Sequence, residues 1–270
     1  MLMAFRALAI DLDGTLLVGE EIPLRNINAL RAARDAGFSI IIATARWLPM
    51  ATRIQAQIGI NGPVIACSGA QVHLPETGTD IFDQRLPGAF ARDLFDICNT
   101  ERCVATVTVD DQVLVKLEGS PSGAAIYPEM AFLPALPAAE VGRVRVANIQ
   151  GSVVYRRITE ELKPKYADQV HFFDSISPSG KTILTLTAGS ASKGTALRYA
   201  CEHLGIPTSA VVAFGDAEND IELFRAAGAS VAMGQADLRT QAAATWVTSR
   251  NDEGGVGAAV ERLLAEGTLA

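Results

Sequence analysis

Short apolar segments recur towards both ends of the chain, and each is bounded by residues that favour turns. They are Ala7–Ile10, Ser39–Ala43, Val64–Cys67, Ala210–Phe214, Ser230–Met233 and Trp246–Thr248. Nearly continuous hydrophobic runs of this length are typical of strands that are buried on both faces of a parallel sheet. The pattern therefore predicts one parallel sheet to which both ends of the chain contribute.

Longer segments with helical periodicity lie between these strands. One begins at Pro23 and ends near Gly37, with proline in its first turn and glycine past its end. The others are Trp47–Ile58, Thr195–Leu204, Asp220–Ala227, Asp237–Ala244 and Val256–Ala265. Strands that alternate with helices predict an α/β fold with a doubly wound, Rossmann-like core sheet.

The middle of the chain has a different pattern. Val104–Val109 and Gln112–Leu117 alternate on either side of a turn, as the strands of a β-hairpin do. Further strands are expected at Arg143–Ile149, Val170–Phe173 and Thr182–Thr187, and a helix at Val153–Leu162. Because this α+β block interrupts the α/β pattern, we expect a core formed by residues 1–83 and 188–270, with a second domain inserted at 84–187.

The charge balance and the hydropathy of the chain exclude several classes of partner. The formal net charge of −7 gives no long-range attraction to nucleic acid or to an anionic membrane. No apolar run approaches the ~20 residues of a membrane span, and the apolar start lacks the pattern of a signal peptide. The four cysteines show no pairing pattern and are expected to be reduced thiols. We therefore expect a cytoplasmic protein that binds neither nucleic acid nor membranes.

Two carboxylates follow the first predicted strand, in the segment Asp11-Leu12-Asp13-Gly14-Thr15. The carboxyl ends of strands are where open α/β sheets bind ligands. Two like charges there are costly unless a cation lies between them or they have separate tasks. The alternative is an acidic turn after a strand, with Gly14 at the bend.

Two further polar residues occupy the ends of predicted elements. Thr44 follows the second strand, where a hydroxyl can hydrogen-bond a phosphoryl oxygen and the next helix offers its N-terminal amides. Lys193 lies at the start of a helix, where a cation opposes the helix dipole unless it faces an anion. A solvent-exposed surface lysine is the alternative for Lys193.

An acidic cluster follows the strand Ala210–Phe214, in the segment Gly215-Asp216-Ala217-Glu218-Asn219-Asp220. Carboxylate and amide oxygens are hard ligands that suit magnesium. Helix capping by Glu218 and Asn219 is the alternative, but it does not account for the whole cluster.

Taken together, these four segments resemble the motifs of the haloacid dehalogenase superfamily. The Asp-x-Asp-Gly-Thr element, the strand-end threonine, the lysine and Gly-Asp-x-x-x-Asp occur here in that superfamily's order. The closer likeness is to its Cof-type (subclass IIB) phosphatases, which carry an α/β cap between the second and third motifs. The later segments Val231–Ala236 and Asn251–Val256 also look like that subfamily. The resemblance implies a magnesium-dependent phosphatase whose cap is the inserted block at 84–187.

The resemblance implies a role for each matching residue. Asp11 would be the nucleophile that takes up the phosphoryl group as an aspartyl-phosphate, and Asp13 the general acid and base. Thr44 would hold the phosphoryl group, and Lys193 would neutralise its charge. The acid at position 13 favours transfer from an ester to water, because transport ATPases have threonine there and dehalogenases lack this acid.

The implied metal site and substrate contacts involve further positions. Magnesium would be bound by Asp11, the backbone carbonyl of Asp13, Asp216, Asn219 and Asp220. Substrate contacts would come from Thr44, Ala45, Arg46, Ser68 and Gly69. The chain departs from the Cof-type pattern at Ala45, where glycine is common, and at Ser68, where asparagine is common.

Two other functions share these motifs. A phosphomutase would return the phosphoryl group to a sugar, and a catalytically silent relative would only bind a phosphorylated ligand. The expected partner is a small phosphorylated metabolite, such as a sugar phosphate, and the protein is expected to be a monomer or homodimer. Arg143, Arg145, Arg156 and Arg157 in the inserted block either contact an anionic substrate or form a solvated surface.

Overall fold

The computed structural model describes residues 5–117, 126–176 and 182–267, and these residues form two compact units. The core unit comprises the residues up to Phe82 and those from Ser192 onwards, and the inserted unit is Asp83–Ala191. The sequence pattern placed the insertion at 84–187, whereas the compact inserted unit is Asp83–Ala191.

The described strands of the core unit form one sheet in the order β14-β13-β12-β1-β2-β3-β4-β5. They are β1 (Ala7–Ile10), β2 (Ser39–Ala43), β3 (Val64–Ala66), β4 (Gln71–Leu74), β5 (Thr79–Asp83), β12 (Val211–Gly215), β13 (Ala229–Ala232) and β14 (Trp246–Val247). The six predicted strands are present and pair in parallel with one another. The strand β4 and the edge strand β5 were not predicted, and β4 runs antiparallel to β3.

Side chains on both faces of the core sheet are buried. All four residues of β1 are fully buried, as the continuous apolar run predicted. The helices of the core unit are α1 (Leu24–Asp35), α2 (Leu48–Ile58), α6 (Lys193–Leu204), α7 (Ile221–Ala226), α8 (Leu238–Ala243) and α9 (Gly255–Glu266). The apolar sides of α6 and α7 pack on one face of the sheet, against Ala9 and Ile41 among others. No helix among the described residues has the length and apolar character to cross a membrane.

The topology brings three strand ends together. The sheet has β1 at its centre, with β2 on one side and β12 on the other, and all three run in parallel. The chain leaves β1 towards β2 and returns much later to β12, so the strand order reverses beside β1. Such a switch point opens a crevice at the carboxyl ends of the strands.

The inserted unit has its own sheet in the order β10-β11-β9-β6-β7-β8 and its own core. Its strands are β6 (Val104–Val109), β7 (Gln112–Lys116), β8 (Met130–Leu133), β9 (Val144–Gln150), β10 (Val170–Ile176) and β11 (Thr182–Ala188). The predicted hairpin is β6 and β7, with Asp110 at a positive φ in the turn. The segment predicted as one helix is α4 (Ser152–Arg157), a π-helical turn (Ile158–Leu162) and α5 (Lys163–Tyr166). The helix α3 (Gly88–Thr100) and the strand β8 were not predicted.

Candidate active site

Three of the predicted site residues follow neighbouring strands of the core sheet. Asp11 follows β1, Thr44 follows β2, and Asp216 follows β12. Because β2 and β12 flank β1 in parallel register, their carboxyl ends lie at one edge of the sheet. The crevice at the switch point is therefore lined by residues that the sequence singled out.

Lys193 connects two of the carboxylates. Its Nζ lies 2.6 Å from Asp11 Oδ1 and 2.6 Å from Asp220 Oδ1. Only 1% of the lysine is exposed, so the alternative of a surface lysine is wrong. Ser192 fixes the start of α6, because its side chain accepts a hydrogen bond from the amide of Thr195 at 3.0 Å. The lysine is thus the first residue of a capped helix and faces two anions.

Asp220 uses both of its carboxylate oxygens within the protein. Oδ1 accepts from Lys193, and Oδ2 accepts from the backbone amides of Asp216 at 3.0 Å and Ala217 at 3.1 Å. This fully buried carboxylate therefore holds the loop after β12 in place and orients the lysine. Asn219, half-buried, precedes it in a 3₁₀ turn.

Residues of the segment Asp11–Thr15 hold Asp216 in place. The hydroxyl of Thr15 donates to Asp216 Oδ1 at 3.0 Å. Gly14 has a φ of +78°, and a Cβ atom there would collide with the carboxylate of Asp216. Glycine is therefore required by both conformation and space, which explains the Gly-Thr pair that follows Asp13.

The buried carboxylates of Asp11 and Asp220 and the half-buried one of Asp216 repel one another, since one lysine cannot balance all three. Burial raises the pKa of Asp11 well above its usual value, the attraction of Lys193 opposes this, and the neighbouring Asp220 and Asp216 raise it further. Burial and then Asp220 raise the pKa of Asp216 to about 6. Burial would lower the pKa of Lys193, but Asp11 and Asp220 raise it above its usual value.

This donor set fits a magnesium ion. One oxygen from each of Asp11, Asp216 and Asp220 lies within 4.8 Å of the others, and together with the lysine they leave an excess of negative charge. Within the described part of the chain, Asp11 Oδ2 and Asp216 Oδ2 receive no hydrogen bond. A hard divalent cation prefers one or two such carboxylates and would relieve their repulsion.

Asp13 lies outside this buried cluster. Its side chain is 53% exposed and is bound by Arg46, with Nη2 2.6 Å from Oδ1 and Nε 2.9 Å from Oδ2. The same guanidinium contacts Glu20 at 2.8 Å. Burial opposes the charge of Arg46, but the hydrogen bonds to Asp13 and Glu20 raise the pKa of Arg46 above its usual value. The structure therefore shows Arg46, predicted to contact substrate, as the partner of Asp13.

The turn after β3 completes the lining beside Thr44. The amide of Ser68 donates to the carbonyl of Thr44 at 3.1 Å, and Thr44 Oγ1 accepts from the amide of Arg46 at 3.1 Å. Cys67 and Ser68 both have positive φ values, which non-glycine residues adopt at a cost. Gly69 has a φ of +90° and packs directly on the backbone at the start of α6. Ala45 is exposed.

Three of the four arginines that the sequence singled out in the inserted unit form ion pairs, and the fourth, Arg156, is exposed. Arg145, 3% exposed, donates to Asp83 at 2.7 Å. Arg143 contacts Asp110 and Glu140. Arg157 likewise pairs with Glu101 and Glu161. These contacts favour a role in the inserted unit's own structure.

Several residues at the site were not predicted. Thr15 belongs to the segment Asp11–Thr15 but was given no role of its own, and no pattern in the sequence pointed to Glu20. Gln235 and Asn251 belong to the two later segments that resemble the Cof-type subfamily, and both hydrogen-bond the turn that follows Asp13.

Comparison with known proteins gives one family throughout. Residues 8–260 match the family model described as haloacid dehalogenase-like hydrolase. The chain is 28% identical to the 5-amino-6-(5-phospho-D-ribitylamino)uracil phosphatase YwtE of Bacillus subtilis, covering 96% of this chain and 98% of that one. It is also 28% identical to a phosphoglycolate phosphatase of Methanothermobacter thermautotrophicus, covering 96% and 99%. The solved structure of a haloacid dehalogenase-like hydrolase from B. subtilis superimposes with a TM-score of 0.80, at 26% identity and 96% and 99% coverage.

Proposed function

The chain belongs to the haloacid dehalogenase-like hydrolases, as a Cof-type phosphoric monoester hydrolase, and we propose that it acts through a phosphoryl group carried on Asp11. The observation that carries the proposal is the contact of Lys193 with both Asp11 and Asp220 in a buried cluster. A lysine held against a buried carboxylate at a strand end can neutralise a phosphoryl group attached to that carboxylate.

The reaction proceeds in two displacements. In the first, a carboxylate oxygen of Asp11 forms a bond to phosphorus while the bond to the leaving oxygen breaks, and Asp13 gives its proton to that oxygen. In the second, Asp13 takes a proton from water, which attacks the same phosphorus. The bond between phosphorus and Asp11 then breaks and releases inorganic phosphate. Dividing one difficult displacement in this way lowers each barrier.

The exposure of Asp13 supports its role as the acid and base. Asp11 is 5% exposed, whereas the side chain of Asp13 is 53% exposed and can meet both the leaving group and water. Arg46 holds both oxygens of Asp13, so the carboxylate has a defined orientation although it is exposed. We propose that Arg46 acts on the reaction through this contact.

Thr44, Ser68 and Gly69 are proposed to bind the phosphoryl oxygens. The Thr44 oxygen already accepts a hydrogen bond from the Arg46 amide, so its own hydroxyl hydrogen is left to donate. Ser68 and Gly69 lie in the adjacent left-handed turn, which is bonded to the carbonyl of Thr44.

Magnesium is the proposed metal, and Asp11 and Asp216 would hold it through their open oxygens, with the backbone carbonyl of Asp13. When bound, the ion supplies positive charge that reduces repulsion between the carboxylate and the phosphate ester. Asp220 is proposed to contribute chiefly by holding Lys193, since both of its oxygens are engaged. Asn219, beside it in the sequence, is proposed as an outer contact.

We propose a small phosphorylated metabolite as the substrate. The relatives named above act on a phosphoribityl-aminouracil and on phosphoglycolate, so the family context supports a monoester of low molecular mass. The inserted unit is proposed to act as the cap that selects among such esters. Its ion-paired arginines give no reason to require a second anionic group on the substrate.

The test is a phosphate-release assay on purified protein with magnesium and a panel of phosphorylated metabolites. We expect release of inorganic phosphate from at least one small monoester, and none from the Asp11→Asn variant. Transfer of the phosphoryl group to another hydroxyl of a sugar, without release, would favour a phosphomutase. Binding of phosphorylated ligands without either reaction would favour a silent relative.

A further inference from the structure

Two side-chain amides hold the turn that follows Asp13. Gln235 Nε2 donates to the carbonyl of Gly14 at 2.5 Å, and Asn251 Nδ2 donates to the carbonyl of Leu17 at 2.8 Å. The two residues are also bonded to each other, because Gln235 Oε1 accepts from the backbone amide of Asn251 at 3.0 Å. The loop after β13 and the segment before α9 therefore act on this turn as one bonded unit.

A third amide holds the carbonyl between these two. Asn26 Nδ2 donates to the carbonyl of Leu16 at 3.2 Å, and its Oδ1 accepts from the amide of Gly257 at 2.9 Å. Asn26 is fully buried. Because its second partner lies in α9, the C-terminal helix is also tied to the turn.

The turn has little regular structure of its own. The amide of Leu16 bonds to the carbonyl of Asp11 at 3.3 Å, and that of Leu17 to Leu12 at 2.9 Å. Both bonds join residues five positions apart, one more than in an α-helix, and turns of this width are rare. Its outward carbonyls are satisfied by the side-chain amides, so the position of the turn depends on residues more than 200 positions away.

We propose that Gln235 and Asn251 are positioning residues that fix the backbone carrying Asp13, and thereby aim its carboxylate at the leaving group. This inference rests on the proposed function of Asp13. Arg46 holds the tip of the Asp13 side chain, but it contacts Glu20 of the same loop as well. The amides instead connect the turn to fixed elements of the sheet's other half. Without them, the turn keeps the bonds of Thr15 to Asp216 and of Asn26 to Leu16 but loses two others, so we expect the Asp13 carboxylate to shift.

The variants to compare are Gln235→Met and Asn251→Ala, with Gln241→Met as a matched control. Gln241 Nε2 donates to the carbonyls of Gly234 and Ala236, at 3.1 and 2.9 Å. It therefore stabilises the same loop by two amide bonds but makes no contact with the turn after Asp13.

The functional measurement is kcat/KM for two esters. Phenyl phosphate has a poor leaving group, and 2,4-dinitrophenyl phosphate has a good one. A misaimed acid should matter only where the leaving oxygen needs a proton. A catalytic group misplaced by about 1 Å can cost roughly 10²-fold in rate. We therefore expect kcat/KM for phenyl phosphate to fall by nearly that factor in the two variants. On 2,4-dinitrophenyl phosphate they should stay within about threefold of wild type. Equal losses on both esters, or no loss, would overturn the proposal.

Hydrogen exchange of the segment 12–18 provides a readout that does not require catalysis. We expect faster exchange of these amides in Gln235→Met and Asn251→Ala, and a smaller increase in Gln241→Met, which loosens the loop of Gln235 but keeps the bond of Gln235 to Gly14. Unchanged exchange in the two variants would overturn the proposed brace even if activity fell. Faster exchange in an enzyme whose Asp13→Ala variant shows no leaving-group dependence would instead contradict the role given to Asp13.

Discussion

Arg46 binds Asp13 through two nitrogens, Nη2 at 2.6 Å from Oδ1 and Nε at 2.9 Å from Oδ2. The residues are 33 positions apart, and the guanidinium side chain is 10% exposed whereas the carboxylate side chain is 53% exposed. A planar guanidinium fixes the orientation of a carboxylate in a way that a flexible ammonium does not. The carboxylate of Asp13, the proposed acid, is therefore both solvent-accessible and fixed in orientation.

Arg46→Lys should separate the two roles open to this residue. If Arg46 orients Asp13, the lysine variant loses the two-pronged contact, so kcat should fall while KM stays near the wild-type value. If Arg46 binds substrate, KM should rise and kcat should be largely retained. Steady-state kinetics on one aryl phosphate distinguish these outcomes. Glu20→Gln is the control, because it removes the charge of the second partner of Arg46 without altering Asp13.

Replacing Lys193 should affect both activity and stability. Removal of a charge-stabilising contact typically costs ~10²–10³ in turnover, so we expect at least that loss for Lys193→Met. Breaking a buried ion pair costs about 3–5 kcal/mol, so the metal-free variant should also unfold at a lower denaturant concentration. Lys165→Met, which removes an exposed ion pair with Asp93, should leave both properties nearly unchanged. Wild-type turnover in Lys193→Met would contradict the role of the lysine.

The stability of the metal-free protein should depend on pH through Asp216. Its folded-state pKa of about 6 lies above the ordinary value of 3.8, so between these values the folded protein retains a proton that the unfolded chain has lost. Stability should therefore fall as pH rises through this window. With both proteins in chelator, we expect the melting temperature of wild type to fall relative to that of Asp216→Asn between pH 4 and pH 7. A difference independent of pH would contradict the raised pKa.

Magnesium binding should distinguish the two acids of the loop after β12. We expect Asp216→Asn to weaken binding, measured by calorimetry, more than Asp220→Asn does. Asp216 has an open oxygen beside Asp11, whereas both oxygens of Asp220 are bonded to the protein. Loss of an outer partner typically costs ~10–100-fold in metal affinity, which is the range expected for Asp220→Asn. A larger effect at Asp220 would make it the principal metal ligand.

Elements with a continuous hydrophobic pattern could be predicted from the sequence. The run Ala7–Ile10 coincides with β1, because a strand buried on both faces needs no alternation. The strands β4 and β5 were missed. The edge strand β5 (Thr79–Asp83) has one buried residue, Phe82, and carries too few apolar residues to stand out. The helix α3 was also missed, although its buried residues, among them Phe90 and Leu94, follow a helical spacing.

Motif residues of the site could also be predicted, but their partners could not. The acids and Lys193 occur at strand ends or helix starts, which sequence patterns locate. The contact of Arg46 with Asp13 depends on how two loops pass each other, and no local pattern encodes it. The same holds for the amides of Gln235 and Asn251, which bond a turn more than 200 residues earlier.

The covalent role of Asp11 is tested most directly in the Asp13→Ala variant. This variant keeps Asp11 and the backbone carbonyl of residue 13, and it removes the group that we propose transfers protons. The leaving group of 2,4-dinitrophenyl phosphate hardly needs a proton, so the first displacement should survive. Loss of the base should slow the second by ~10²–10⁴.

The measurement is a rapid-quench experiment on Asp13→Ala with magnesium and 2,4-dinitrophenyl phosphate, followed by mass analysis of the acid-quenched protein. We expect a burst of about one equivalent of 2,4-dinitrophenol per active site, with a phosphoryl group trapped on Asp11 during the slow phase. A folded, magnesium-binding variant that shows neither the burst nor phosphate on Asp11 would contradict the covalent role of Asp11.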